Sequence, residues 1–141
     1  MTLHSTNYRD TLVTVSDDGE RHHSIVPGRP GTIAALQWEL LAAAPYVLTS
    51  DDLLWRVETR RNGTADTAEA RAAFFSVGRP CLRASPLVKS HGWGIHHDAA
   101  GRIALIGVET PDYARLLADP SVKKRPGLRS GRGGRRPVPS A

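Results

Sequence analysis

The sequence predicts a single α+β domain, with a mainly antiparallel sheet, about three helices packed on it and a hairpin followed by a helix near the C-terminus. Three observations carry this. The stretch TIAALQWELLAAA, Thr32 to Ala44, places apolar residues at helical spacing. Trp93–His97 and Arg102–Val108 flank a DAAG turn, the pattern of an antiparallel hairpin. The chain has 141 residues, 40% of them hydrophobic and 23% charged, a normal mixture for one globular domain.

Taken in order, residues 1–10 are polar and are expected to be loosely held. Thr11 to Ser16, TLVTVS, alternates β-branched and aliphatic residues and reads as a strand. Asp17, Asp18 and Gly19 mark a turn, and the prolines and glycines between Glu20 and Gly31 make a loop. Thr32 is the expected N-cap of the first helix, with Ile33, Leu36, Leu40 and Leu41 as its apolar stripe and Gln37 off it. Pro45 ends it.

Residues 50–63, SDDLLWRVETRRNG, fit two templates. As a helix, Ser50 caps it, Asp51 and Asp52 sit at the positive end and Gly63 closes it. As a strand, Leu53, Trp55, Val57 and Thr59 share one face, and this bulky, β-branched series favours the strand. A second helix opens at Asp66 or Thr67 and runs to about Ser76, ended by Gly78 and Pro80. Cys81–Ala84 is expected to be extended. Both faces of the strand after the DAAG turn are apolar, which predicts a central position in the sheet. Thr110 and Pro111 open a last helix with Tyr113, Leu116 and Leu117 as its stripe.

The net charge of +5 divides unevenly. Residues 120–141 hold seven of the 19 cations and no acid, leaving 12 cations against 14 acids, a net of −2, in residues 1–119. The domain is therefore expected to be 1–119, with 120–141 a disordered Gly/Pro/Arg-rich basic tail. Nucleic-acid binding, if any, belongs to that tail, through phosphate contacts. One cysteine allows no internal disulfide, and neither a signal peptide nor a membrane-spanning run is legible, so a cytoplasmic location is expected.

The segment Phe74–Gly107 concentrates the residues that carry chemistry. Arg79, Arg83, Ser85 and Lys89 can form an anion site, since guanidinium forks match carboxylate and phosphate oxygens. Trp93 supplies a flat wall and His96 a further polar group. Cys81, between Arg79 and Arg83 on one face of an extended segment, and His91 are the weaker catalytic candidates; cations beside a thiol favour the thiolate. The opposing account is a buried, inert cysteine. His22–His23 and His96–His97 lack metal-ligand spacing, so no metal and no cofactor are expected. Asp51 and Asp52 read as a capping cluster rather than an acid–base pair.

Four segments, TIAALQWELL with PYVLTSDDLLWRV, FFSVGRPCLRASPLVKSHGWGIHHDAAGRIAL and ETPDYARLLAD, together resemble an uncharacterised family of small bacterial proteins, a domain of unknown function, from about Asn7 to Asp119. The tail after Arg129 and the His22–His23 pair depart from it. The resemblance implies a single cytoplasmic bacterial domain and transfers no catalytic role to any residue. Function is left between a binding module for a small anionic ligand or protein partner, acting through Arg79–Trp93, and a cysteine-dependent enzyme or redox-responsive protein using Cys81.

Overall fold

The computed structural model describes residues 4–16 and 22–128. Four strands form one mixed sheet in the order β3-β2-β1-β4. They are β1 Thr11–Thr14, β2 Trp93–His97, β3 Ile103–Gly107 and β4 Lys123–Pro126. β1 and β2 pair antiparallel, as do β2 and β3, whereas β1 and β4 pair parallel. The helices are α1 Ile33–Ala43, α2 Ser50–Asn62, α3 Ala68–Phe74, α4 Pro86–Ser90 and α5 Pro111–Ala118, with a 3-10 turn at Leu82–Ala84.

Strand alternation sorts the core into two layers. Val13, Ile95 and Ile103 project to one face, where they meet Leu40 and Leu41 of α1, Leu53 and Val57 of α2, Leu82 and Val88. Leu12 and Ile106 project to the other, where Tyr113 and Leu116 of α5 cover them with Val122. Gly94 sits under the Tyr113 ring, 2.7 Å from where a Cβ would lie, and its lack of a side chain lets α5 lie flat on the sheet.

Several expectations are corrected. Residues 50–62 are helix, not strand. Thr49 rather than Ser50 caps α2, in a capping box with Asp52, and Gly63 closes it in the left-handed conformation. Cys81–Ala84 is not extended: Cys81 precedes the 3-10 turn, and Ser85 then caps α4, which has Pro86 in its first turn. β3 is an edge strand, not a central one. Both its faces are apolar because α1 and α5 cover opposite sides of it, and at Ile103 its outer edge is bonded to the backbone of Tyr46 and Leu48. Gln37 belongs to the buried side of α1, while Ile33 is 40% exposed. Leu117, placed on the apolar stripe of α5, is exposed.

Two corrections touch the termini. Residues 4–10 are not loose, since bonds to α2, α3 and the β2–β3 turn hold them. Lys123–Pro126, expected to lie in the disordered tail, form β4 and join the sheet. Lys123 N donates to Asp10 O and Gly127 N to Thr14 O, while Leu128 N donates to Arg83 O and Arg83 Nε to Pro126 O. Residues 129–141, where most of the tail falls, lie outside the described residues.

Candidate functional site

α1 and α2 pack side by side, and the chain leaving α3 returns across their ends. A cleft of about 200 Å³ opens between these three segments. Its walls are apolar, from Ile33 on α1, Leu54 and Val57 on α2, Phe74 at the end of α3, and Pro80. Arg61, Glu58, Asn62, Arg79 and Gln37 supply its polar groups.

Arg79, Glu58 and Gln37 are each fixed by local chemistry. Arg79 lies over the Phe74 ring, its guanidinium carbon 3.8 Å from the centroid, and its Nε donates to Phe74 O at 2.8 Å. A guanidinium on an aromatic face keeps its other N–H groups free for a planar anion. Glu58 is engaged elsewhere, accepting from Asn62 Nδ2 and Thr64 Oγ1. Gln37 is 3% exposed. Its Oε1 accepts from Ser85 Oγ at 2.6 Å, so the amide NH2 is the end left to serve the cleft. Among the described residues the ion pairs are Arg71–Asp52 and Arg115–Asp112, and neither uses a cation of the cleft.

The other expected site residues do not converge on it. The 3-10 turn breaks the alternation that would place Arg79 and Arg83 on one face, so Arg79 enters the cleft and Arg83 reaches β4. Ser85 is buried, capping α4 through Leu87 N and orienting Gln37. Lys89 sits on the last turn of α4. Trp93 donates from Nε1 to Ile25 O at 2.8 Å and so pins the 22–25 loop. His91 Nδ1 lies 3.1 Å from Pro86 O. His96 is on the α5 side of the sheet, with Nδ1 2.8 Å from Tyr46 OH; burial pulls its pKa down, against the pull of Asp98.

Cys81 is half-buried, with Sγ 3.2 Å from Tyr8 OH. Burial raises the Tyr8 pKa and the bond to Cys81 raises it further, while Arg83 and Arg125 oppose the change. The Tyr8 ring meets His97 edge-on, with centroids 5.3 Å apart. His97 is fully buried and held near pH 4 by burial. Asp51 and Asp52 serve the start of α2. Burial raises the Asp52 pKa, but bonds from Thr49 and Arg71 outweigh it and lower the value overall. Among the described residues no cluster of metal-binding side chains occurs.

Arg79 alone of the expected residues lines the cleft. Gln37, Arg61 and Phe74 were not singled out. For Gln37 a signal was present, since it lies three and four residues before the buried Leu40 and Leu41.

A four-stranded sheet with helices on both faces and a cleft among the helix ends defines a small α+β domain. The chain belongs to the DUF6157 family, a family of unknown function, whose profile matches residues 3–133. No curated protein and no solved structure matches the chain. Among the described residues no helix is long and apolar enough to cross a membrane.

Proposed function

We propose that the protein is a small binding module that takes an anionic ligand with an apolar body into the cleft between α1, α2 and Phe74–Pro80. The observation that carries this is the pairing of apolar walls with two guanidinium groups, Arg61 and Arg79, neither in an ion pair among the described residues. The apolar body lies against Leu54, Val57 and Phe74, and the anion takes the fork of Arg79. Gln37 adds an N–H donor from the cleft lining. The volume suits a ligand smaller than a typical drug molecule, for which pockets run about 300–1,000 Å³. The single cysteine and the family resemblance support a bacterial cytoplasmic setting.

Calorimetric titration with hexanoate and 3-phenylpropanoate, each beside its uncharged amide, tests the reading. Binding of the carboxylates is expected, weakened about tenfold or more for the amides and in Arg79→Met, which is the loss of one charge-assisted contact. Equal binding of acids and amides, or no binding by either acid, sinks it.

A second reading keeps Cys81 as a reactive thiol, favoured by the Tyr8 hydroxyl on Sγ and by Arg83 two residues away. Alkylation of the folded protein against pH decides it. A midpoint well below that of a free thiol supports reactivity, and labelling only on unfolding removes it.

A further inference from the structure

We infer that residues 4–10 form an acid-released strap, lifted from the domain when His97, buried beneath Tyr8, takes up a proton. The inference is independent of the cleft and of any ligand.

The strap crosses three elements and is bonded backbone to backbone with a sheet strand at Asp10, whose O accepts from Lys123 N of β4. His4 N donates to Phe75 O at 2.9 Å and its Nε2 lies 2.7 Å from Arg79 O. Thr6 is 4% exposed, with N donating to Asp51 Oδ1 and Oγ1 2.7 Å from Ser50 Oγ. Asn7 Oδ1 accepts from Asp51 N, and Asp10 N donates to Asp98 O. Only the His4 and Asp10 bonds join backbone to backbone, at the two ends. The middle is held by side chains and by Tyr8.

His97 lies at the centre of what Tyr8 covers. It sits in β2 opposite Thr11 of β1 and Ile103 of β3, is 0% exposed, and among the described residues neither ring nitrogen has a hydrogen-bond partner. A neutral imidazole leaves one N–H donor and one acceptor unsatisfied there. An imidazolium would present two N–H donors and a charge with nothing to receive them. The ionisable groups around it do not relieve this. Asp98 favours protonation, the adjacent His96 opposes it, and the net effect of burial prevails. Around the Tyr8 hydroxyl stand Cys81, Arg83 and Arg125, and the strap itself carries His4, Arg9 and Asp10, with Asp51 beneath it. The strands on either side of His97 are locked by ladder bonds, so the cover that can lift without breaking the sheet is Tyr8 and the strap, at the cost of the bonds that tie it to Ser50, Asp51 and Cys81.

With His97 near pH 4 when covered and near 6.5 when hydrated, the sign follows from linkage. The open form binds the proton more tightly, so opening becomes easier as pH falls from about 7 toward 4, by about 20-fold between pH 7 and pH 5 and about a hundredfold by pH 4. The first interval lies above the range in which ordinary carboxylates titrate.

Amide hydrogen exchange, expressed as protection factors at pH 7 and pH 5, reads the opening directly. The amides of Thr6 and Asp10 are expected to be less protected than that of Ile103, which donates to Leu48 O. Their protection is expected to fall about 20-fold over this interval in the wild type and to stay flat in His97→Phe and His97→Leu. Strap protection that does not change with pH in the wild type overturns the inference. So does strap protection that equals that of Ile103 at both pH values, because release would then be global unfolding.

Discussion

Gly92 offers the sharpest test of how tightly the loop before α1 is pressed onto the sheet. Its φ is +76°, and a Cβ there would lie 2.5 Å from His23 O and 3.0 Å from Ser24 Cα. Gly63, with φ +66°, has nothing within 4 Å of that point. Replacing each by alanine therefore separates two costs. Gly63→Ala carries only the left-handed backbone penalty, about 1–2 kcal/mol. Gly92→Ala carries that penalty plus the displacement of backbone atoms that cannot swing aside as a side-chain end can, about 1–3 kcal/mol more. The expected total for Gly92→Ala is roughly 2–5 kcal/mol, which lowers Tm by about 6–15 °C for a chain of this length. Urea titration with unchanged slope, beside the thermal midpoint, measures both variants. The shift also disturbs Ser24, whose N and Oγ donate to Glu109, and Ile25, whose carbonyl receives the Trp93 indole. The Trp93 indole N–H resonance is therefore expected to move in Gly92→Ala and not in Gly63→Ala. Equal destabilisation by the two substitutions would refute the claim that the loop rests on Gly92.

Three further outcomes follow from named contacts. His97, held at about 4 in the folded chain against 6.5 when exposed, makes stability fall as pH drops from 7 to 4, by about 3 kcal/mol; urea midpoints against pH should show this slope, flattened in His97→Leu. Ser85→Ala removes both the α4 cap and the donor to buried Gln37 Oε1, and an expected loss of about 2–3 kcal/mol by urea denaturation reports it. Thr49→Ala opens the α2 capping box at about 1 kcal/mol, whereas Thr49→Ser should be close to neutral in the same assay.

The hairpin, the first, third and last helices and the caps at Thr32 and Thr110 were legible because each rests on local chemistry, and of the two starts open for the third helix, Asp66 and Thr67, Thr67 is the cap. Residues 50–62 were not, and the reason is geometric. Leu53 and Val57 face the sheet at helical spacing, but Trp55 is buried from another direction, against Phe74, with its indole N–H held by Asp66. A helix covered on two sides shows alternate bulky residues that imitate a strand. Lys123–Pro126 carries no apolar signal at all. Its strand pairing is imposed by β1 and the residue before it, which supply Thr14 O and Asp10 O from far away in sequence. The cleft was half legible. Arg79 was marked by its charge, whereas Gln37 became relevant only once Ser85 was seen to take its oxygen.

The register of β4 has a bearing on how the protein behaves in a crowded solution. Lys123 and Gly127 turn their backbone N–H groups toward β1, so Lys124 and Pro126 are the positions turned outward. Pro126 has no N–H to offer, and its carbonyl is already taken by Arg83 Nε. Lys124 alone presents an outward backbone N–H, between the charged Lys123 and Arg125. A second molecule approaching this margin would find one donor where a growing ribbon needs a row of them. The sheet therefore ends at β4, and the chain is shielded from fibrous self-assembly along that side.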